Sequence, residues 1–172
     1  FLFIPLLTYS LAGAQDEFAG QMKTIDALQN DTVKVLKMDA LTMDIIMNGE
    51  YQMALDYSNK MLQISKIIGY KTGEAKALTK MGIVYYFKPQ MDSALTRYEQ
   101  ASAVYEEIGD KDGMAKVYNN IGMTYHGLAD FVKALDYYYK SLLLSQELKN
   151  PNFICKSYNY IGSVYFDQNK YK

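Results

Sequence analysis

The chain has 172 residues, a length suited to one domain. Its 18 basic and 19 acidic residues leave a net charge of −1, which excludes the basic footprint of a nucleic-acid-binding domain. A hydrophobic content of 49% supplies a core, and the three prolines, Pro5, Pro89 and Pro151, leave long stretches free for helix.

The first segment, Phe1–Ala14, is uncharged and apolar and ends in Ala12-Gly13-Ala14. Small residues at Ala12 and Ala14 after an apolar run match a signal-peptidase site. We therefore expect residues 1–14 to be a signal peptide whose start is missing, and the protein to be exported to a periplasmic or other extracytoplasmic place. Fourteen residues are too few for a bilayer, which needs about 20, so no membrane span is expected. Residues 15–30 carry a weak helical stripe, Phe18, Met22, Ile25 and Leu28, expected to cap the units that follow.

From Asp31 onward the chain alternates amphipathic helices. Asp31–Met47 and Tyr51–Ile68 form a first pair, Thr72–Phe87 and Met91–Ile108 a second, Asp112–Gly127 and Phe131–Leu148 a third. Pro151–Asp167 repeats a first helix, and Tyr171 begins its partner at the slot of Phe131, so the chain is expected to be cut within a fourth unit. The joints carry Gly109-Asp110 and Asn150-Pro151, suited to a helix stop and to helix N-caps. Within each first helix one stripe recurs every forty residues: Leu78, Met81, Gly82, Tyr85; Tyr118, Ile121, Gly122, Tyr125; Tyr158, Ile161, Gly162, Tyr165. Ala54, Ala94 and Ala134 align on the second helices, as do Tyr98 and Tyr138. Glycine within a helix costs about 1 kcal/mol against alanine, so Gly82 and Gly122 imply close approach of a neighbouring helix. The first pair is the most degenerate, with Thr42 at the glycine slot and Ser58 at the aromatic slot. The units are 31–70, 71–110, 111–150 and a partial 151–172.

This pattern resembles the tetratricopeptide repeat, which sets a large residue, Leu-Gly and Tyr on one helix and Ala, an aromatic and a small residue on the next. The period is forty rather than about 34, and Gln146 stands where the family closes its second helix with proline. The long form is similar to the repeats of bacterial peptide-sensing regulators, MalT-type regulators and kinesin light chains. The resemblance implies an all-α, right-handed solenoid of antiparallel helix pairs and a binding module without catalysis. A peptide or protein segment would lie in its concave groove. The alternative is the extracytoplasmic sensory region of a membrane histidine kinase or a transcriptional regulator, continuing beyond residue 172.

Nothing in the sequence assembles a catalytic or metal constellation. His126 and Cys155 are the only histidine and cysteine, too few for a metal site, and no cofactor is expected. Asp110-Lys111-Asp112-Gly113 reads as a polar turn rather than a calcium loop. Cys155 shares the slot of Ala75 and Ala115 and is expected to be buried.

The candidate site comes from the stripe beside the core stripe, one helical rotation of about 100° away. Its columns are Lys76, Lys116 and Lys156; Thr79, Asn119 and Asn159; Ile83, Met123 and Ser163; and Tyr86, His126 and Phe166. The resemblance places this stripe in the groove. Lysines there would favour an acidic segment, and an Asn amide can donate to and accept from one peptide unit. The asparagines could equally bond within or between helices. Leu36, Met43, Ile46 and Met47 would extend the groove as an apolar surface, although Met43 and Ile46 are expected to pack against the Phe18–Leu28 helix.

Overall fold

The structure is a computed structural model that describes residues 5–170, with side chains over 13–169. Tyr171 and the first part of the Phe1–Ala14 segment lie outside the described residues. The described chain is eight α-helices: α1 Pro5–Asp26, α2 Thr32–Met47, α3 Tyr51–Ile67, α4 Lys71–Phe87, α5 Met91–Glu107, α6 Lys111–Gly127, α7 Phe131–Glu147 and α8 Pro151–Lys170. Seventeen-residue helices joined by three-residue turns produce the forty-residue period of the central units. The missing proline at Gln146 is thus answered by a full-length α7. Helix α1 runs without a break across Ala14 and Gln15, so the two N-terminal segments expected from the sequence meet within one helix. Among the described residues no helix is long and apolar enough to cross a membrane.

From the α2–α3 joint onward, each joint reverses the chain by the same device. Gly49, Gly69 and Gly109 take positive φ, and so do Ala129 at 58° and Lys149 at 53°. The N–H of each of these five residues donates to the helix end behind it, as Gly109 does to Glu106 and Lys149 to Gln146. A left-handed residue with a Cβ costs about 1–2 kcal/mol where glycine does not. Lys149→Gly and Ala129→Gly are accordingly expected to raise unfolding free energy by about 1 kcal/mol each in urea titrations. Pro89 stands at this position in the α4–α5 joint and has no N–H to offer. At the starts of helices, Asp31 accepts from the Lys34 N–H, Asp110 from Gly113 and Asn150 from Phe153. Asp110 is therefore an N-cap.

Packing gives the solenoid its curvature. Helices α2, α4, α6 and α8 approach closely in succession, whereas the backbones of α3, α5 and α7 stand farther apart. The former converge into an inner wall and the latter splay outside. Between them lie the small slots Ala54, Ala94 and Ala134, all fully buried, and the rings of Tyr57, Tyr98 and Tyr138. Thr42 and Ser58, where the first unit departs from the pattern, are buried too and donate to Met38 and Ala54 carbonyls in their own helices. At the N-terminal end Phe18 is buried, and Met22 and Ile25 pack on the same cluster as Ile45 and Ile46, so α1 covers the first pair.

Cys155 corrects an expectation: it is exposed. Its counterpart Ala115 is buried, and the Ala115 carbonyl accepts from Ser141 of α7. No described helix stands in that relation to α8, so the same slot faces outward there.

Candidate protein-binding groove

The inner wall has two chemically different halves. Toward the starts of α4 and α6 a hollow of about 330 Å³ is lined by Asp39, Lys76, Lys80, Asp110, Asp112 and Lys116, with Thr79 and Tyr105. These charges are spent on one another. Asp39 holds Lys76 at 3.0 Å and Lys80 at 2.9 Å, and Lys116 pairs with Asp112 one turn away. Lys116 and Lys156 both lie over the Phe153 ring, at 5.5 and 5.3 Å from its centre. The lysine column is in place, but beside as many aspartates.

Burial would raise the Asp39 carboxyl pKa, yet Lys80 and Lys76 outweigh burial and hold it below the ordinary carboxylate value. A depressed carboxylate stabilises the fold above its unfolded pKa and stops doing so as pH falls through the folded value. Thermal stability should therefore decline below about pH 4. Asp39→Asn should lower stability at pH 7 and flatten part of that acid decline, measured by melting temperature from pH 7 to pH 3.

Toward the ends of the same helices the wall becomes aromatic. One cavity of about 220 Å³ is lined by Met43, Ile83, Tyr86, Phe87, Tyr98, Asn120, Met123 and Tyr160. A second of about 400 Å³ is lined by Tyr86, Met123, His126, Gly127, Tyr138, Tyr160, Ser163 and Asp167. Tyr86, Met123 and Tyr160 belong to both, so the two form one groove across α4, α6 and α8. Its floor is closely packed: Tyr138 is fully buried and stacks on Tyr160, centroids 5.1 Å apart and planes within 16°. The Tyr138 hydroxyl is buried and has no intramolecular partner. Burial, with Tyr160 as a smaller cause, pushes its pKa far above the ordinary phenol value, so it stays protonated as a donor.

Of the residues read from the sequence, Tyr86 and His126 line this groove, and His126 Nε2 lies 3.0 Å from Asp167 of α8. Phe166 is 64% exposed and lines neither cavity. Asn119 departs from its expected place: it is buried, and its Oδ1 is unpartnered. Its neighbour Asn120 lines the aromatic cavity instead. Asn159, at the same slot as Asn119 but with no described helix beyond α8, is exposed. Inner helices pack on each other along this column, which buries Asn119 and leaves its counterpart in the last unit open. Met43 borders the groove while Ile46 is in the core, and Leu36 and Met47 are exposed. Sequence reasoning did not find Tyr160, because its counterparts Asn120 and Lys80 share no chemistry with it. Among the described residues no group of three or more His, Cys, Asp or Glu is placed to hold a metal ion.

Comparison with known proteins agrees with this geometry. A tetratricopeptide repeat family model matches residues 114–152. No curated protein matches the sequence significantly. Among solved structures, BtubC (BKLC) from P. vanneervenii is similar with a TM-score of 0.74 at 20% identity, covering 95% of this chain and 67% of its own. A signal transduction ATPase with a tetratricopeptide repeat sensor from Pyrococcus horikoshii has a TM-score of 0.72 at 19% identity. That match covers 92% of this chain but 25% of the ATPase. A putative kinesin light chain with nearly identical repeats from Podosopora anserina has a TM-score of 0.64 at 13% identity, covering 95% of this chain and 79% of its own. Residues 114–152 thus match the tetratricopeptide repeat, and the described chain has the fold of a tetratricopeptide-like α-solenoid.

Proposed function

We propose that the chain binds an extended segment of a partner protein along the inner wall of α4, α6 and α8 and carries out no chemistry of its own. The observation that carries this reading is the continuous aromatic groove shared by Tyr86, Met123 and Tyr160. Apolar side chains of the segment would enter it. The Asn120 amide can donate to and accept from the segment's backbone. The preference for an acidic segment loses its basis where Asp39, Asp110 and Asp112 face Lys76, Lys80 and Lys116 in one hollow. Apolar contact then dominates, and binding should depend weakly on salt.

A peptide array read at two salt concentrations tests this, followed by titration of the best binder. The Tyr86→Ala/Met123→Ala variant is expected to lose affinity by about tenfold or more, since buried aromatic anchors carry most binding energy. A Lys76→Ala/Lys116→Ala/Lys156→Ala variant should stay within about threefold of the parent. The reverse pattern would restore the acidic-segment reading, and no change in either variant would remove the partner from this wall.

A second reading, a sensory region within a larger signalling protein, is favoured by the similarity to the repeat sensor of the ATPase. Export rests on Phe1–Ala14 alone, and N-terminal sequencing of the mature protein tests it.

A further inference from the structure

The two cavities of the groove join through Tyr86, Met123 and Tyr160 but differ in charge. The smaller is lined by neutral side chains throughout. The larger brings one carboxylate, Asp167 of α8, beside the same rings. Among the described residues lining the two cavities there is no lysine or arginine. His126 Nε2 lies 3.0 Å from Asp167 Oδ2. An ionised carboxylate only accepts hydrogen bonds, so Nε2 carries the hydrogen, and a neutral imidazole meets the contact without cancelling the charge. The lysines of the inner wall are engaged elsewhere, Lys76 and Lys80 by Asp39 and Lys116 by Asp112.

A carboxylate beside tyrosine rings suits a cation, which a ring attracts from within about 6 Å of its centre. Outside the groove the chain supplies such cations itself, with Lys133 4.9 Å from the centre of the Tyr125 ring and Lys140 4.7 Å from that of Tyr137. Inside it, a partner must. We infer, on the reading that the groove is the binding surface, that its larger cavity takes an arginine side chain of the partner segment, set against Tyr86 and Tyr160 and paired with Asp167. Arginine fits better than lysine because its planar guanidinium stacks on a ring and donates two parallel bonds to a carboxylate. A carboxylate offers about four acceptor positions, more than the His126 contact uses. At about 400 Å³ the larger cavity falls within the ligand-pocket range of about 300–1,000 Å³, room for a long side chain. The smaller cavity takes an apolar side chain of the same segment. Alternate residues of an extended chain point to one side roughly 6.8 Å apart, so the apolar residue and the arginine are expected two positions apart. A pair shielded in a cavity is screened little, so the weak salt dependence expected of the groove is kept.

The probes are short fluorescent peptides in a Gly/Ser background, centred on Leu-Ser-Arg or on Leu-Ser-citrulline, each also made in the reverse order. Citrulline keeps the shape of arginine and lacks its charge. Fluorescence anisotropy against the full 172-residue chain, at mildly alkaline pH, is the readout. The better arginine peptide is expected to bind about tenfold or more tighter than its citrulline counterpart. Asp167→Asn should erase that ratio. The Asp167 side chain is 34% exposed, so this variant should fold, as circular dichroism checks. Equal binding of the two peptides by the parent, lost in Tyr86→Ala/Met123→Ala, overturns the arginine pocket and leaves the groove in place. An arginine preference that survives Asp167→Asn also overturns it. So does failure of these peptides to bind while others on the array do; no binding by any peptide removes the groove reading and the pocket together.

Discussion

Gly122→Ala is expected to destabilise the fold by about 1–3 kcal/mol, and Gly162→Ala to stabilise it by up to about 1 kcal/mol. The same substitution at equivalent positions gives opposite signs because two effects compete. Alanine in a helix interior gains about 1 kcal/mol over glycine from backbone entropy. At Gly122 the added methyl would sit 2.6 Å from the Tyr138 ring. That ring is fully buried and stacked on Tyr160, so it has nowhere to go, and overpacking outweighs propensity. Gly82→Ala should follow Gly122→Ala, against Tyr98. At Gly162 only the propensity gain remains. Urea denaturation of the three single variants measures the signs directly. Equal stabilisation in all three would mean that the tyrosine rings yield, and the repeat register would lose its physical basis.

These glycines also show what the sequence makes legible. A forty-residue recurrence of Gly, Ala and Tyr fixes helix boundaries to within one residue at α4 through α7, because the second and third units obey the same steric rule. The slots themselves are therefore readable without coordinates. What packs between units is less so. Asn119 and Asn120 are adjacent and chemically identical, yet one is buried between inner helices and the other borders the groove. A rotation of about 100° separates them, and the angle at which successive inner helices meet decides which faces the cavity. That angle is not encoded in any single helix. The lysine column illustrates a second limit. Lys76, Lys116 and Lys156 align in the sequence as one positive wall, but Asp39 reaches Lys76 from another helix, thirty-seven residues away. Charge on a solenoid is set by neighbours in the next unit as much as by the column itself.

The largest effect outside the glycine slots is expected at Lys34. Lysine is seldom fully buried. Yet Lys34 is 4% exposed, and its ammonium donates to the carbonyls of Asp26 and Leu28 at 2.9 and 3.0 Å and to Asn30 Oδ1 at 3.0 Å. Asp26 is the last residue of α1, so the charge sits on the helix end whose carbonyls lack partners and whose dipole favours a cation. At the same time the Lys34 N–H is capped by Asp31 at the start of α2. One residue thus closes α1 and anchors it to α2, holding Phe18 over the first core cluster. Lys34→Met keeps the aliphatic stem and removes three charge-assisted bonds. Each such bond contributes about 1.5–3 kcal/mol when its acceptors stay buried. Here residues 27–30 are exposed, so water can replace part of the loss, and the buried charge no longer has to be desolvated. A net loss of about 2 kcal/mol is expected, concentrated in α1. Native-state hydrogen exchange should show protection falling from Phe18 to Asp26 while α4 through α7 keep theirs, since local opening need not reach the distant units. Unchanged protection in α1 would show that its docking rests on Phe18, Met22 and Ile25 alone.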